Sequence, residues 1–214
     1  MRVLITGAAR AIGAATARVL SDHGCDVVAT ARDVELLADV PASMRLQLDV
    51  TDPASVETCI SAAGELDVVV NNAAIAEAGP LERYPIERIC GEQVRASKRS
   101  ARPCTSSSVT SASESIIEPG YIAPGMKSSP RWGLEAPYDE LAAQWFGADT
   151  KLLGGGGRPA PEVVGETIWT AITTKEPRLR WPVGADAEMI LAARRDLDDE
   201  QFEAAMRSTL GIDW

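Results

Sequence analysis

The stretch RVLITGAARAIGAATARVL, residues 2–20, decides the fold. Val3, Leu4 and Ile5 form a short apolar run that stops at Thr6-Gly7. After a turn of small residues ending at Gly13, the apolar positions change period to Ile12, Ala15, Val19 and Leu20. That change reads as strand, turn and helix. A buried parallel strand running straight into a helix start aims unpaired backbone N–H groups and the positive end of the helix dipole at one spot. Such a spot holds a phosphate. Gly7 and Gly13 meet two needs of the turn, a positive φ and room for a pyrophosphate against bare backbone. Glycine spacing alone also fits a turn that merely lets the helix pack close to the strand.

The same alternation continues beyond the first helix. Gly24 stops that helix, with His23 as a surface residue of its cap. Asp26–Thr30 reads as a second strand, Val34–Ala38 as a short helix and Arg45–Asp49 as a third strand. Asp52-Pro53 supplies an N-cap and a first helical residue, with Val56 and Ile60 on one face. Leu66–Val70 is a fourth strand. Strands alternating with helices in this way demand a parallel α/β sheet. Farther on, Arg158-Pro159-Ala160-Pro161-Glu162 opens a helix through Ile172 whose Val164, Ile168 and Ala171 should pack on the sheet. Arg178–Gly184 reads as an edge strand, and two short acidic helices run to Trp214.

A chain of 214 residues, 45% hydrophobic, buries one substantial core, so residues 1–214 are expected to form a single domain. The net charge of -10 argues against nucleic acid and anionic lipid as partners. No apolar run spans a bilayer and no leader pattern precedes the first strand, which points to a cytoplasmic protein with no membrane partner. Cys25, Cys59, Cys90 and Cys104 are irregularly spaced, giving neither a zinc pattern nor a disulfide framework. With His23 as the single histidine, no metal site is expected, and a hydrolase triad lacks its base.

Thr6-Gly7-x-x-x-Ala11-x-Gly13 resembles the TGxxxGxG turn of short-chain dehydrogenases/reductases, with alanine in place of the middle glycine. The added methyl narrows the approach to a pyrophosphate. Asn71-Asn72-Ala73-Ala74 resembles the NNAG element after the fourth strand of that family, with Ala74 for its glycine. Ser115-Ile-Ile-Glu-Pro-Gly120 resembles its sixth strand and the loop over the nicotinamide, with Pro124 where a cofactor-contacting threonine is common. The resemblance implies a doubly wound parallel sheet, the Rossmann fold, that binds a nicotinamide dinucleotide and transfers hydride between carbonyl and alcohol. Residues 123–150 then correspond to a substrate lid, in which Trp132, Trp145 and Phe146 either line a hydrophobic substrate pocket or are buried against the core. The tail resembles that of steroid-dehydrogenase-like reductases in the family.

The cofactor residues implied are Thr6, Gly7, Ala9, Arg10, Ala11, Ile12 and Gly13 at the pyrophosphate turn, Asp49 and Val50 at the adenine, Asn72, Ala73 and Ala74 at the ribose, and Pro119 and Gly120 at the nicotinamide. The second strand ends in Ala31-Arg32. An acidic residue there would bind the ribose hydroxyl of NAD, whereas a cation accommodates the extra phosphate of NADP. Arg32 therefore favours NADP, with NAD left open. The reading of Arg32 as a solvated cation beside Asp33 stays open too.

The middle of the chain departs from the family. Residues 90–115 read CGEQVRASKRSARPCTSSSVTSASES, serine-rich and locally basic, with little periodic apolar content. The fold is thus expected to be shortened there. In the family a tyrosine moves the proton, a lysine four positions later lowers its pKa, and a serine polarises the carbonyl. Here Val94-Arg95-Ala96-Ser97-Lys98 ends in the lysine, but valine stands at the tyrosine position. Lys98 is the one catalytic candidate. Ser106, Ser107 and Ser108 follow it where the family serine precedes, while Tyr84 and Tyr121 fit the tyrosine role poorly. Two readings follow, an oxidoreductase of small carbonyls or alcohols with impaired turnover, and a non-catalytic nucleotide-binding or interaction protein that keeps the fold. A homo-oligomer stays open.

Overall fold

The computed structural model describes residues 1–74, 114–124, 136–145, 147–153 and 156–213. Lys98, Tyr84, Val94, Ser106, Ser107, Ser108, Trp132 and Phe146 lie outside them, as does nearly all of the aberrant 90–115 segment. The described residues divide into two compact units. One contains those within 1–75, 86–116 and 161–181, the other those within 76–85, 117–160 and 182–214.

In the first unit, β1 (Arg2–Ile5), β2 (Asp26–Ala31), β3 (Met44–Gln47) and β4 (Val68–Val70) form a parallel sheet in the order β3-β2-β1-β4. The registers pair Leu4 with Val28 and Val69, and Ala29 with Arg45. Val3, Leu4, Ile5, Val27 and Val28 are all fully buried, as expected for central strands covered on both faces. Strand side chains alternate between faces. Leu4 and Val28 join Leu48, Cys59 and Ala63 in the core beneath α2 (Pro53–Ala63), with Val56, Ile60 and Val69 packed around them. α2 starts as its sequence requires, the Asp52 carboxylate accepting from the Ala54 N–H at 3.0 Å with Pro53 at the first helical position. Strand three is shorter and starts one residue earlier than its sequence suggests, Leu48 making a last bond to the Ala31 carbonyl of β2 before the Asp49 N–H turns to the Ser55 hydroxyl of α2.

α1 (Ala11–Asp22) ends at His23, and Gly24 takes the left-handed conformation (φ 77°) that the sequence assigns to it. α5 (Glu162–Thr173) packs chiefly on α1, which corrects the expectation that it lies on the sheet. Its buried face is Val164, Gly165 and Ile168, and Gly165 lets the two helices close up, since a Cβ there would sit 3.0 Å from the Val19 side chain. His23, expected as a plain surface residue, instead stacks on Trp169 with ring centroids 4.4 Å apart, its Nε2 3.1 Å from Glu166. Arg18 adds an ion pair to Glu162 at 3.1 Å.

Two further strands, β5 (Ile116–Pro119) and β6 (Arg180–Val183), pair with each other. The Ile116 N–H donates to Leu179 and the Gly120 N–H to Val183, an equal advance on both strands that makes the pair parallel. Arg178–Gly184 is thus a strand as expected, trimmed at its ends. The second unit holds residues 117–119 of β5 and 182–183 of β6 together with α3 (Asp139–Trp145), α4 (Ala148–Leu152), α6 (Ala185–Asp196) and α7 (Asp199–Leu210). α7 begins with a reciprocal capping box between Asp198 and Gln201. The Gln144 side-chain amide pairs with Asp213, and Lys151 donates to the Leu210 carbonyl. No described helix is long and apolar enough to cross a membrane.

Gly165→Ala should lower stability by about 1–2 kcal/mol, because its methyl meets Val19 in a helix pair with no slack. Urea denaturation measures this, and an unchanged midpoint would contradict the close α1–α5 approach.

Candidate functional site

The strand order reverses at β1, with β2 and β3 on one side and β4 on the other. In open parallel sheets the crevice at such a reversal, beyond the carboxyl ends of the strands, is where ligands bind. The turn from Thr6 to Gly13 lies there, leading from β1 into α1.

Thr6 organises this crevice from inside. It is buried, 3% exposed, and its N–H donates to the Val70 carbonyl at 3.0 Å. Its hydroxyl accepts from the N–H groups of both Asn72 and Ala73 at 2.9 Å and donates to the Val70 carbonyl at 3.4 Å. The Asn72 side-chain amide returns the contact, donating to the Thr6 carbonyl at 2.9 Å and the Gly7 carbonyl at 3.2 Å. Thr6 and Asn72 therefore shape the turn through its backbone.

The two glycines of the turn do different work. Gly7 has φ 66°, and a Cβ on it would come within 2.9 Å of the Ala73 Cα. Gly13 is crowded by the protein, since its Cβ would collide with the Gly7 carbonyl and approach Asn72 Nδ2 to 2.6 Å. Its bareness seats α1 on the turn, so the packing explanation weighed for the glycine spacing holds at this position. Ala11 has φ 48°, the one described non-glycine residue with positive φ. Alanine has thus replaced glycine without releasing the left-handed backbone, at a cost of about 1 kcal/mol.

α1 starts without a side-chain cap, Arg10 making no such bond, and has no acidic residue in its first turn. The N–H groups of Ala11, Ile12 and Gly13 are among those a helix cannot satisfy internally. Ala8 is spent on the Thr30 carbonyl at 2.9 Å, whereas Ala9 is half-buried and Arg10 and Ala11 are exposed.

At the end of β2, Ala31 is buried and Arg32 exposed. The Asp33 carboxylate caps the short helix Val34–Leu37 by accepting from the Glu35 N–H at 3.1 Å. Asp49 Oδ1 accepts from the Thr51 N–H at 2.9 Å and the Thr51 hydroxyl at 2.7 Å. These bonds, the hydroxyl first, hold the Asp49 carboxyl below the usual carboxylate range against the opposing effect of burial, and the Arg32 charge adds a still smaller pull downward. Val50 is half-buried, packed against the core under α2, and Ala74 is exposed.

In the second unit, Gly120 donates to Val183 at 2.9 Å, and the Tyr121 N–H donates to Asp186 Oδ2 at 2.6 Å. Trp145 is about half exposed, and Arg158 lies over the Tyr121 ring at 5.4 Å. Sequence reasoning missed Asp186; the available signal was an acid two residues beyond Gly184 at a helix start.

Ala11→Gly should stabilise the chain by about 1 kcal/mol in thermal denaturation, since glycine carries no penalty at φ 48°. Destabilisation would contradict the strain. Thr51→Val should cost stability that is fully present above the ordinary carboxylate range and shrinks as pH falls below it. A depressed folded pKa contributes above the unfolded value and is lost as acid protonates Asp49. A loss independent of pH would contradict the hydroxyl's hold on Asp49.

Comparison with known proteins places this geometry. The short chain dehydrogenase family matches residues 1–111, more than half of the chain. Chicken D-erythrulose reductase (Gallus gallus) is 39% identical over 94 residues, covering 41% of this chain and 38% of that protein. The chain spans only about a third of the length of the curated relatives it matches, 32% and 38% for two of them. A short-chain dehydrogenase structure from Streptomyces avermitilis covers 98% of this chain and 96% of its own, with TM-score 0.66 and 21% identity. A metagenomic short-chain oxidoreductase solved in complex with NADP covers 86% of this chain and 97% of its own, with TM-score 0.55 and 24% identity. Parallel strands flanked by helices, the Thr6–Gly13 turn at the point of reversal and the family match over residues 1–111 agree, and the chain belongs to the short chain dehydrogenase family.

Proposed function

We propose that this chain is a nicotinamide-dinucleotide oxidoreductase of small carbonyls or alcohols that favours NADP and whose turnover is impaired. The observation that carries the reading is the turn. Thr6 and Asn72 hold it open at the sheet's reversal, and an uncapped helix N-terminus without an acid in its first turn follows it. Residues 7–13 fit a pyrophosphate by this donor set. Thr6 and Asn72 act through the backbone, with Ala73 and Ala74 beside the ribose, Asp49 and Val50 at the adenine, and Pro119 and Gly120 at the nicotinamide.

Arg32 supports the preference for NADP. It is exposed and follows an alanine where an NAD-binding acid would stand. The dinucleotide, when bound, supplies or takes up the hydride. The resemblance assigns the proton transfer to a tyrosine, and Val94 stands at its place. Lys98 alone, at the matching spacing, lacks the phenol it would assist. If no turnover remains, the alternative is a non-catalytic nucleotide-binding or interaction protein, and the same absence of a phenol at position 94 favours it.

Calorimetric titration should show NADPH binding about tenfold tighter than NADH, with Arg32→Glu reversing the order. Equal affinities would remove Arg32 as the determinant, and no affinity for either would overturn the reading. NADPH oxidation against a panel of ketones and aldehydes should be slow or absent. Appreciable turnover would overturn the impairment.

A further inference from the structure

Asp186 is the only charged side chain in the buried core among the described residues, 1% exposed. Burying a carboxylate is costly, so its surroundings must compensate. It lies in the first turn of α6, where the helix dipole favours a negative charge, and Oδ2 accepts from the Tyr121 N–H at 2.6 Å. Oδ1 accepts nothing among the described residues and is packed against backbone. A Cβ on Gly120 would collide with this carboxylate, and one on Gly184, whose φ is 104°, would approach Oδ1 to 2.7 Å. The loop therefore rests directly on the acid. Gly120 is fixed by contact, Tyr121 by its hydrogen bond to Oδ2, and the Gly120 N–H by the Val183 carbonyl.

We propose that Asp186 is a positioning residue that sets the height of the Pro119–Gly120–Tyr121 loop and so governs affinity for the nicotinamide half of the dinucleotide. This rests on the dinucleotide reading above. The adenosine half is assigned above to Arg32, Asp49 and Val50, with which Asp186 makes no described hydrogen bond. The carboxylate acts by shape and by one accepted hydrogen bond, so asparagine, which keeps both, serves in its place, whereas alanine removes both. An alanine at position 120 would displace the loop from the opposite side.

The test is titration of the full chain and its variants with NADPH and with adenosine 2′,5′-bisphosphate, which carries only the adenine half. Asp186→Ala should weaken NADPH about tenfold and leave the bisphosphate unchanged, while Asp186→Asn stays within about threefold of the parent for both. Gly120→Ala should show the same split, and adding Asp186→Ala to it should restore part of the NADPH affinity by relieving the collision. Either of these two pairs decides the matter if one variant does not fold. NADPH affinity unchanged in both Asp186→Ala and Gly120→Ala, or both ligands weakened equally, would overturn the proposal while leaving the dinucleotide reading intact. A parent chain that binds neither ligand would overturn both.

Discussion

A threonine hydroxyl and an asparagine amide hold the ends of β1 and β4 together, and the site depends on that clasp. Thr6 is buried between the two strand ends, where its hydroxyl receives two backbone N–H groups and its carbonyl receives the Asn72 side chain. Each neutral hydrogen bond contributes about 1 kcal/mol net, but leaving one of these buried groups unpaired would cost more than the bond itself gives. The consequence is geometric. With the strand ends fixed, Gly7 can turn back at positive φ only because it has no side chain to strike Ala73, and α1 can start close behind it only because Gly13 has none to strike the Gly7 carbonyl.

The same constraint explains why alanine at position 11 leaves the turn recognisable. The clasp and the glycines dictate the path of the backbone, so Ala11 is carried into the left-handed region at φ 48°. The strain is small enough for the fold to absorb, and it falls at the start of the one helix among those of the parallel-sheet unit that the site uses. α2, by contrast, has a conventional aspartate cap and is closed to an anion. The difference between the two helix starts is chemical as well as positional, since a capped terminus has already spent an N–H group that an uncapped one presents.

Much of the fold is legible in the sequence because local physics decides it. Val3-Leu4-Ile5 before Thr6-Gly7, Asp52-Pro53 at a helix start and Gly24 at a helix end each specify their backbone within a few residues. The partner of an apolar helix face is a different matter. Val164 and Ile168 announce a buried face on α5 without saying that α1 covers it, and Gly165 between them is the clue to a close helix pair. The His23–Trp169 stack and the Tyr121–Asp186 bond join residues far apart in the chain, so no local pattern could reveal them. In the candidate site, the sequence singles out Gly7, Gly13 and Asn72, but only the hydrogen bonds show that Asn72 shapes the turn. Lys98 and Val94 lie outside the described residues, and their part in the proposed function rests on the sequence.

Backbone hydrogen exchange in the presence and absence of saturating NADPH addresses the turn most directly, because the proposed donors are amides rather than side chains. Slowed exchange at amides within residues 9–13, well beyond any change in the amides of α2, is the expected result. Unchanged exchange across those residues, with NADPH demonstrably bound, would contradict the assignment of this turn as the dinucleotide's cradle.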